Sequence, residues 1–98
     1  MKKRREDPLE STIEAKVCAY ARTKKFYDRK FVSPNNRSVP DRLLVSPSGQ
    51  LFFIEFKRKG KQPTEGQRRE INDLRDRGQK VYVVDDVDTG KALIDRLS

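Results

Sequence analysis

Two acids and a lysine near the middle of the chain, Asp41, Glu55 and Lys57, are spaced to share one face of a β-hairpin. Arg42 to Ser46 and Leu51 to Lys57 read as strands, joined by Pro47-Ser48-Gly49, where proline opens a turn and glycine accepts a positive φ. With the turn centred on Ser48, antiparallel pairing puts Val45 opposite Leu51, Leu43 opposite Phe53 and Asp41 opposite Glu55. Lys57 falls on the same face because side chains alternate along a strand, while Phe52, Ile54 and Phe56 take the other. An aspartate facing a glutamate is repulsive unless something positive lies between them, and a hard divalent cation or the lysine itself fills that role. With a cation the trio suits phosphodiester hydrolysis: the metal stabilises charge developing on the phosphate and lowers the pKa of a bound water. Lys57 then orients that water or neutralises the phosphate. The same trio also reads as a solvated charge cluster at a strand end, and a one-residue slip would put the two acids on opposite faces.

The elements that must position this hairpin are legible as periodicities. Ser11 and Glu14 have capping-box spacing, and Ile13, Val17, Tyr20 and Ala21 recur at helical intervals as far as Lys24 and Lys25. Glu14 sits at the edge of that helix's buried stripe, where it either caps with Ser11 or reaches toward the hairpin. Phe26 to Ser33 reads as an irregular strand, followed by the turn formers Ser33-Pro34-Asn35-Asn36. After Gly60 and Pro63, Thr64 and Gln67 repeat the capping-box spacing before a helix with Ile71 and Leu74 inward, closed by Gly78. Gln67 begins that helix and either caps it or hydrogen-bonds Lys57 or a phosphate. Lys80 to Val84 is a β-branched strand, and Ala92, Leu93, Arg96 and Leu97 make a last amphipathic helix.

Lysine and arginine number 23 against 15 acids, a net charge of +8 with no histidine to titrate near neutrality. Such a balance favours a polyanionic partner, nucleic acid first. Arg58, Lys59 and Lys61 follow the hairpin directly and suit phosphates, or form a solvated basic loop. Phe26, Tyr27 and Phe31 stand among Lys24, Lys25, Arg29 and Lys30, a mixture for stacking on bases or, for at least two of them, for the core. The single cysteine, Cys18, excludes an internal disulfide and the usual zinc sites, and is consistent with a reducing compartment. No apolar run approaches a membrane span. Residues 1–8 read as a flexible basic arm and residues 9–98 as one domain, small enough that dimerisation would help to stabilise it.

The motif Val39-Pro40-Asp41 followed by Ile54-Glu55-Phe56-Lys57 resembles the PD-(D/E)xK nuclease signature. The wider pattern adds Ile13-Glu14, Lys30-Phe31-Val32-Ser33-Pro34, Arg42 and Gln67. Over roughly residues 10–85 it looks like a stand-alone VRR-NUC domain, a type found in phages and bacteria and similar to the catalytic end of the Fanconi-associated nuclease. The resemblance implies a restriction-endonuclease-like α/β core, a mixed β-sheet flanked by helices in the order α-β-β-β-α-β-α. It implies a metal-dependent DNA endonuclease in which Asp41, Glu55 and the Phe56 carbonyl hold Mg2+ or Mn2+. Glu14 would contribute directly or through water, Lys57 would assist the attacking water, and Gln67 matches the family's glutamine. Lys30, Arg42, Arg58, Lys59 and Lys61 are the expected DNA contacts. Similarity to Holliday-junction resolvases implies a homodimer acting on branched, four-way DNA in a phage or bacterial host cytoplasm. A non-catalytic basic DNA-binding module on the same fold is the alternative.

Overall fold

The computed structural model describes residues 8–98. Helix α1 (Glu10–Thr23) leads into strands β1 (Tyr27–Lys30), β2 (Arg42–Val45) and β3 (Leu51–Phe56), then α2 (Glu65–Asp76), β4 (Val81–Val84) and α3 (Val87–Leu97). The strands form one mixed sheet in the order β1-β2-β3-β4, with β4 parallel to β3 and the other pairs antiparallel. A parallel pair cannot be closed by a tight turn, so α2 provides the crossover. The α/β architecture and its element order are those expected from the sequence. The basic arm read at residues 1–8 lies outside the described residues apart from Pro8, which is exposed.

Strand β3 is internal to the sheet, and its residues Phe52 to Phe56 are all buried, which accounts for an apolar run with a single charge in it. On one face Leu44, Phe52, Ile54 and Phe56 pack against Ile13, Val17, Cys18 and Ala21 of α1 and Leu93, Ile94 and Leu97 of α3. On the other, Phe53 and Val81 meet Ile71 of α2, with Phe31, Leu43 and Leu74 around them. The hairpin register is the expected one: Val45 pairs with Leu51 and Leu43 with Phe53.

Three local expectations are corrected. Helix α1 begins at Glu10 with Leu9 as its N-cap and no side-chain cap, so Ser11 and Glu14 form no capping box. Glu14 instead spends its carboxylate on Arg42, a charge-assisted partner that outbids a backbone amide. The strand read at Phe26 to Ser33 is confined to Tyr27–Lys30, because Lys25 turns the chain through a left-handed conformation (φ 70°) and drops Phe26 into the core. In α3 the buried positions are Gly90, Leu93, Ile94 and Leu97, whereas Ala92 is exposed. Their i, i+3, i+4, i+7 spacing follows from a helix that starts at Val87.

Gly90 marks the closest approach of α3 to the core. A Cβ there would lie 2.5 Å from Val17 Cγ2 and 3.0 Å from Val84 Cγ1, both on stiff, buried, β-branched side chains. Gly90→Ala gains about 1 kcal/mol of helix propensity but overpacks the core at a cost of about 1–3 kcal/mol. A net loss of stability is expected in urea denaturation; a variant more stable than the parent would show that α3 can back away.

Candidate active site

Asp41 immediately precedes β2, and the hairpin register, continued one pair beyond Arg42 and Ile54, sets it beside Glu55. Its Oδ2 accepts the Phe56 backbone N–H at 2.7 Å, which ties the start of β2 to the end of β3. Lys57 follows β3 and remains attached to the sheet, its N–H donating to the Val84 carbonyl at 2.9 Å. The Lys57 Nζ lies 4.0 Å from Glu55 Oε2, and only 12% of the lysine side chain is exposed. Hairpin geometry thus gathers Asp41, Glu55 and Lys57 at one end of the sheet.

Glu55 is the anomaly of this cluster. It is 1% exposed, and neither carboxylate oxygen has a hydrogen-bond partner among the described residues. Buried polar groups are nearly always paired, and a buried carboxylate with nothing donating to it carries a large desolvation cost. Burial, with the Asp41 charge next, pushes the Glu55 pKa up to about 8, against a smaller opposite pull from Lys57. Asp41 is raised too, chiefly by burial; the Phe56 N–H opposes the shift, and the charges of Glu14 and Glu10 add to it. Two oxygen-bearing acids, one of them orphaned, form a donor set that fits a hard divalent cation.

Glu14 stands at the edge of this group. Its Oε2 accepts Arg42 Nε at 2.6 Å, and Lys30 Nζ lies 3.8 Å away. Among the described residues no cluster of three acidic, histidine or cysteine side chains is disposed to hold a metal, so Asp41 and Glu55 are not joined by Glu14 as a third side chain. Arg42 also approaches Asp28 Oδ1 at 3.5 Å, and Asp28 Oδ2 receives Arg22 at 2.8 Å. The guanidinium expected at a DNA phosphate therefore sits in an ion network on the α1 side, with 19% of its side chain exposed. Gln67 closes the α2 capping box: its side chain accepts from Thr64 N at 2.9 Å while Thr64 Oγ1 accepts from Gln67 N.

Arg58, Lys59 and Lys61 lie in an exposed turn beside the site. Gly60 takes φ 79° there and donates to Asp85 Oδ2 at 3.0 Å, while Lys59 Nζ is 3.6 Å from Asp86 Oδ1. Arg58 and Lys61 make no ion pair among the described residues, and Lys30 is mostly exposed. Of the three aromatics, Phe26 packs on Phe52 in the core and Phe31 on Phe53, whereas Tyr27 is exposed under the Arg29 guanidinium. Two residues were missed from sequence, Glu10 and Asp28. Glu10 lies one turn before Glu14 on the same helix edge, a signal hidden by starting α1 at Ser11.

A protein of Acyrthosiphon pisum secondary endosymbiont phage 1, named "Putative nuclease p44", is 39% identical over 84 residues, covering 86% of this chain and 90% of its own. A solved structure described as "VRR_NUC domain" superposes with a TM-score of 0.82 at 26% identity, covering 91% of this chain and 97% of that one. The chain belongs to the VRR-NUC nuclease family. A second structure, a "VRR_NUC domain protein", shares the fold with a TM-score of 0.78 at 16% identity, covering 94% of this chain and 89% of its own. No family model matches the sequence. Among the described residues no helix is long and apolar enough to cross a membrane.

Proposed function

We propose that this chain is a divalent-metal-dependent endonuclease that hydrolyses DNA phosphodiesters, with Asp41, Glu55 and the Phe56 carbonyl as ligands for Mg2+ or Mn2+. The observation that carries the reading is Glu55, a carboxylate buried with both oxygens unpartnered beside a second acid. A bound divalent ion supplies charge stabilisation at the phosphate and a water of lowered pKa. Lys57 holds a positive charge at the mouth of the pair, where it orients the attacking water or the phosphate oxygen. Glu14 contributes through the field it adds at Asp41 and Glu55, or through a bridging water. Arg58, Lys59, Lys61 and Lys30 supply cations for the flanking phosphates.

Branched DNA, four-way junctions in particular, is the proposed substrate class, and a homodimer is the proposed form. The small size of the chain supports the dimer, since a body of 98 residues buries a modest core. The second reading, a DNA-binding module that does not cut, has one observation in its favour: Glu14 is engaged by Arg42 instead of completing an acidic triad.

The decisive experiment is a cleavage panel of duplex, single-stranded, flap and four-way DNA with Mg2+, with Mn2+ and with chelator. Cutting that needs the metal is expected, and Lys57→Ala should slow it by about 10²–10⁴-fold. Salt-sensitive binding with no cutting under any metal would establish the non-catalytic reading. Undiminished cutting by Lys57→Ala would place the site elsewhere or reveal a contaminant.

A further inference from the structure

The end of β1 and the loop between β1 and β2 line an open cavity of about 240 Å³ that runs up to Asp41. Its lining combines the cations Lys30 and Arg37 with the apolar surfaces of Phe31 and Val32. Val32 is 72% exposed, the most exposed large apolar side chain of the described residues. Arg37 is exposed and makes no ion pair among them. The wall is held in place: Asn36 Nδ2 donates to Glu70 Oε2 of α2 at 2.8 Å, and Ser38 N donates to Asn36 Oδ1 at 2.8 Å. Phe31 is fixed by its ring contact with Phe53, centroids 5.4 Å apart.

We infer that this cavity receives one unstacked nucleotide of the DNA strand, the neighbour of the phosphate at Asp41. The inference rests on the nuclease reading above and narrows its substrate. A nucleotide is a flat apolar ring attached to an anion, and the cavity offers the matching pair: apolar surface at Phe31 and Val32, cations at Lys30 and Arg37. Because Asp41 belongs to both the cavity and the acidic pair, whatever occupies the cavity is adjacent to the reacting phosphate. Apolar side chains and pockets of this kind take bases out of the stack at an unstacking cost that is least where the base is already unpaired. Selectivity for junctions or flaps over continuous duplex then follows without any base-specific hydrogen bond.

The test uses full-length protein carrying Glu55→Gln and a four-way junction in which 2-aminopurine, dark when stacked, replaces one nucleotide at a time. One position is expected to brighten several-fold on binding, next to the cut mapped with the parent protein. Adding Val32→Asp should remove that rise. Arg37→Ala should lower the slope of log affinity against log salt by about one, as loss of a single phosphate contact does. Binding that leaves every position dark, or a rise that survives Val32→Asp, overturns the inference. The outcomes separate from those of the nuclease reading: cutting with no bright position sinks the cavity alone, while a Val32-dependent bright position in a protein that cuts nothing sinks the nuclease alone.

Discussion

Glu55→Gln is expected to raise the melting temperature of the metal-free protein while abolishing cleavage. The parent carboxylate is buried, without a hydrogen bond among the described residues and beside Asp41, so its charge is opposed by its surroundings and its pKa rises from 4.5 to about 8. The sign of the linkage follows. An acid with a raised folded pKa retains its proton in the folded state when the unfolded chain has lost it, so stability falls as pH rises from about 4.5 to about 8. In chelator the parent should therefore lose melting temperature across that window, and Glu55→Gln, which cannot ionise, should not show that loss.

Glutamine removes an ionised form that burial and Asp41 disfavour by more than Lys57, 4.0 Å away, favours it, and each kcal/mol gained moves the transition of a domain this size by roughly 4–8 °C. Divalent metal should reverse the order. A ligand present at about a hundred times its dissociation constant stabilises the folded state by about 2.7 kcal/mol, a gain open to the parent and withheld from the variant. A thermal scan at pH 8 with and without Mg2+ or Mn2+ reads both effects. Equal stabilisation of the two proteins by metal would remove Glu55 from the ligand set. A parent whose stability is flat from pH 5 to pH 8 would show that Glu55 is solvated or otherwise satisfied.

What could be read from the sequence divides along physical lines. The hairpin register was legible because alternation and a proline-glycine turn are both local, and a one-residue slip would have exchanged Phe53 with Phe52, Ile54 and Phe56 between the two covered faces. The Thr64 and Gln67 capping box was legible for the same reason, since all of its hydrogen bonds lie within four residues. Identical spacing at Ser11 and Glu14 failed because a residue from β2 competed for the carboxylate, and no local pattern reports a partner 28 positions away. Arg42 illustrates the converse. Alternation turns its side chain to the face opposite Asp41, and α1 covers that face with Glu14 while β1 brings Asp28. Asp28 itself sits in a stretch of basic and aromatic residues read for stacking on bases or for the core, with no signal marking the aspartate, yet it is buried between Arg22 and Arg42. The partners of long charged side chains are set by tertiary packing, and that is where reading from sequence gave out.

Asp41 is expected to separate into two functions when it is replaced in two ways. Asp41→Ala removes a carboxylate oxygen from the proposed metal and also the acceptor for the Phe56 N–H, which is 2.7 Å away. Leaving a buried donor unpaired costs about 1–3 kcal/mol, so the alanine variant should melt earlier in chelator. Asp41→Asn keeps an oxygen for that N–H and removes the charge, and its stability in chelator should match or exceed the parent's, because the repulsion between Asp41 and Glu55 is gone. Cleavage should fall in both, by about 10³-fold or more, since neither restores the negative oxygen that faces a cation and a developing phosphate charge. The pair of variants thus tells a structural hydrogen bond from a chemical role: stability follows the acceptor and activity follows the charge. An Asp41→Asn protein that cuts DNA at the parent's rate would leave Asp41 as a strand clamp and move the chemistry away from the hairpin.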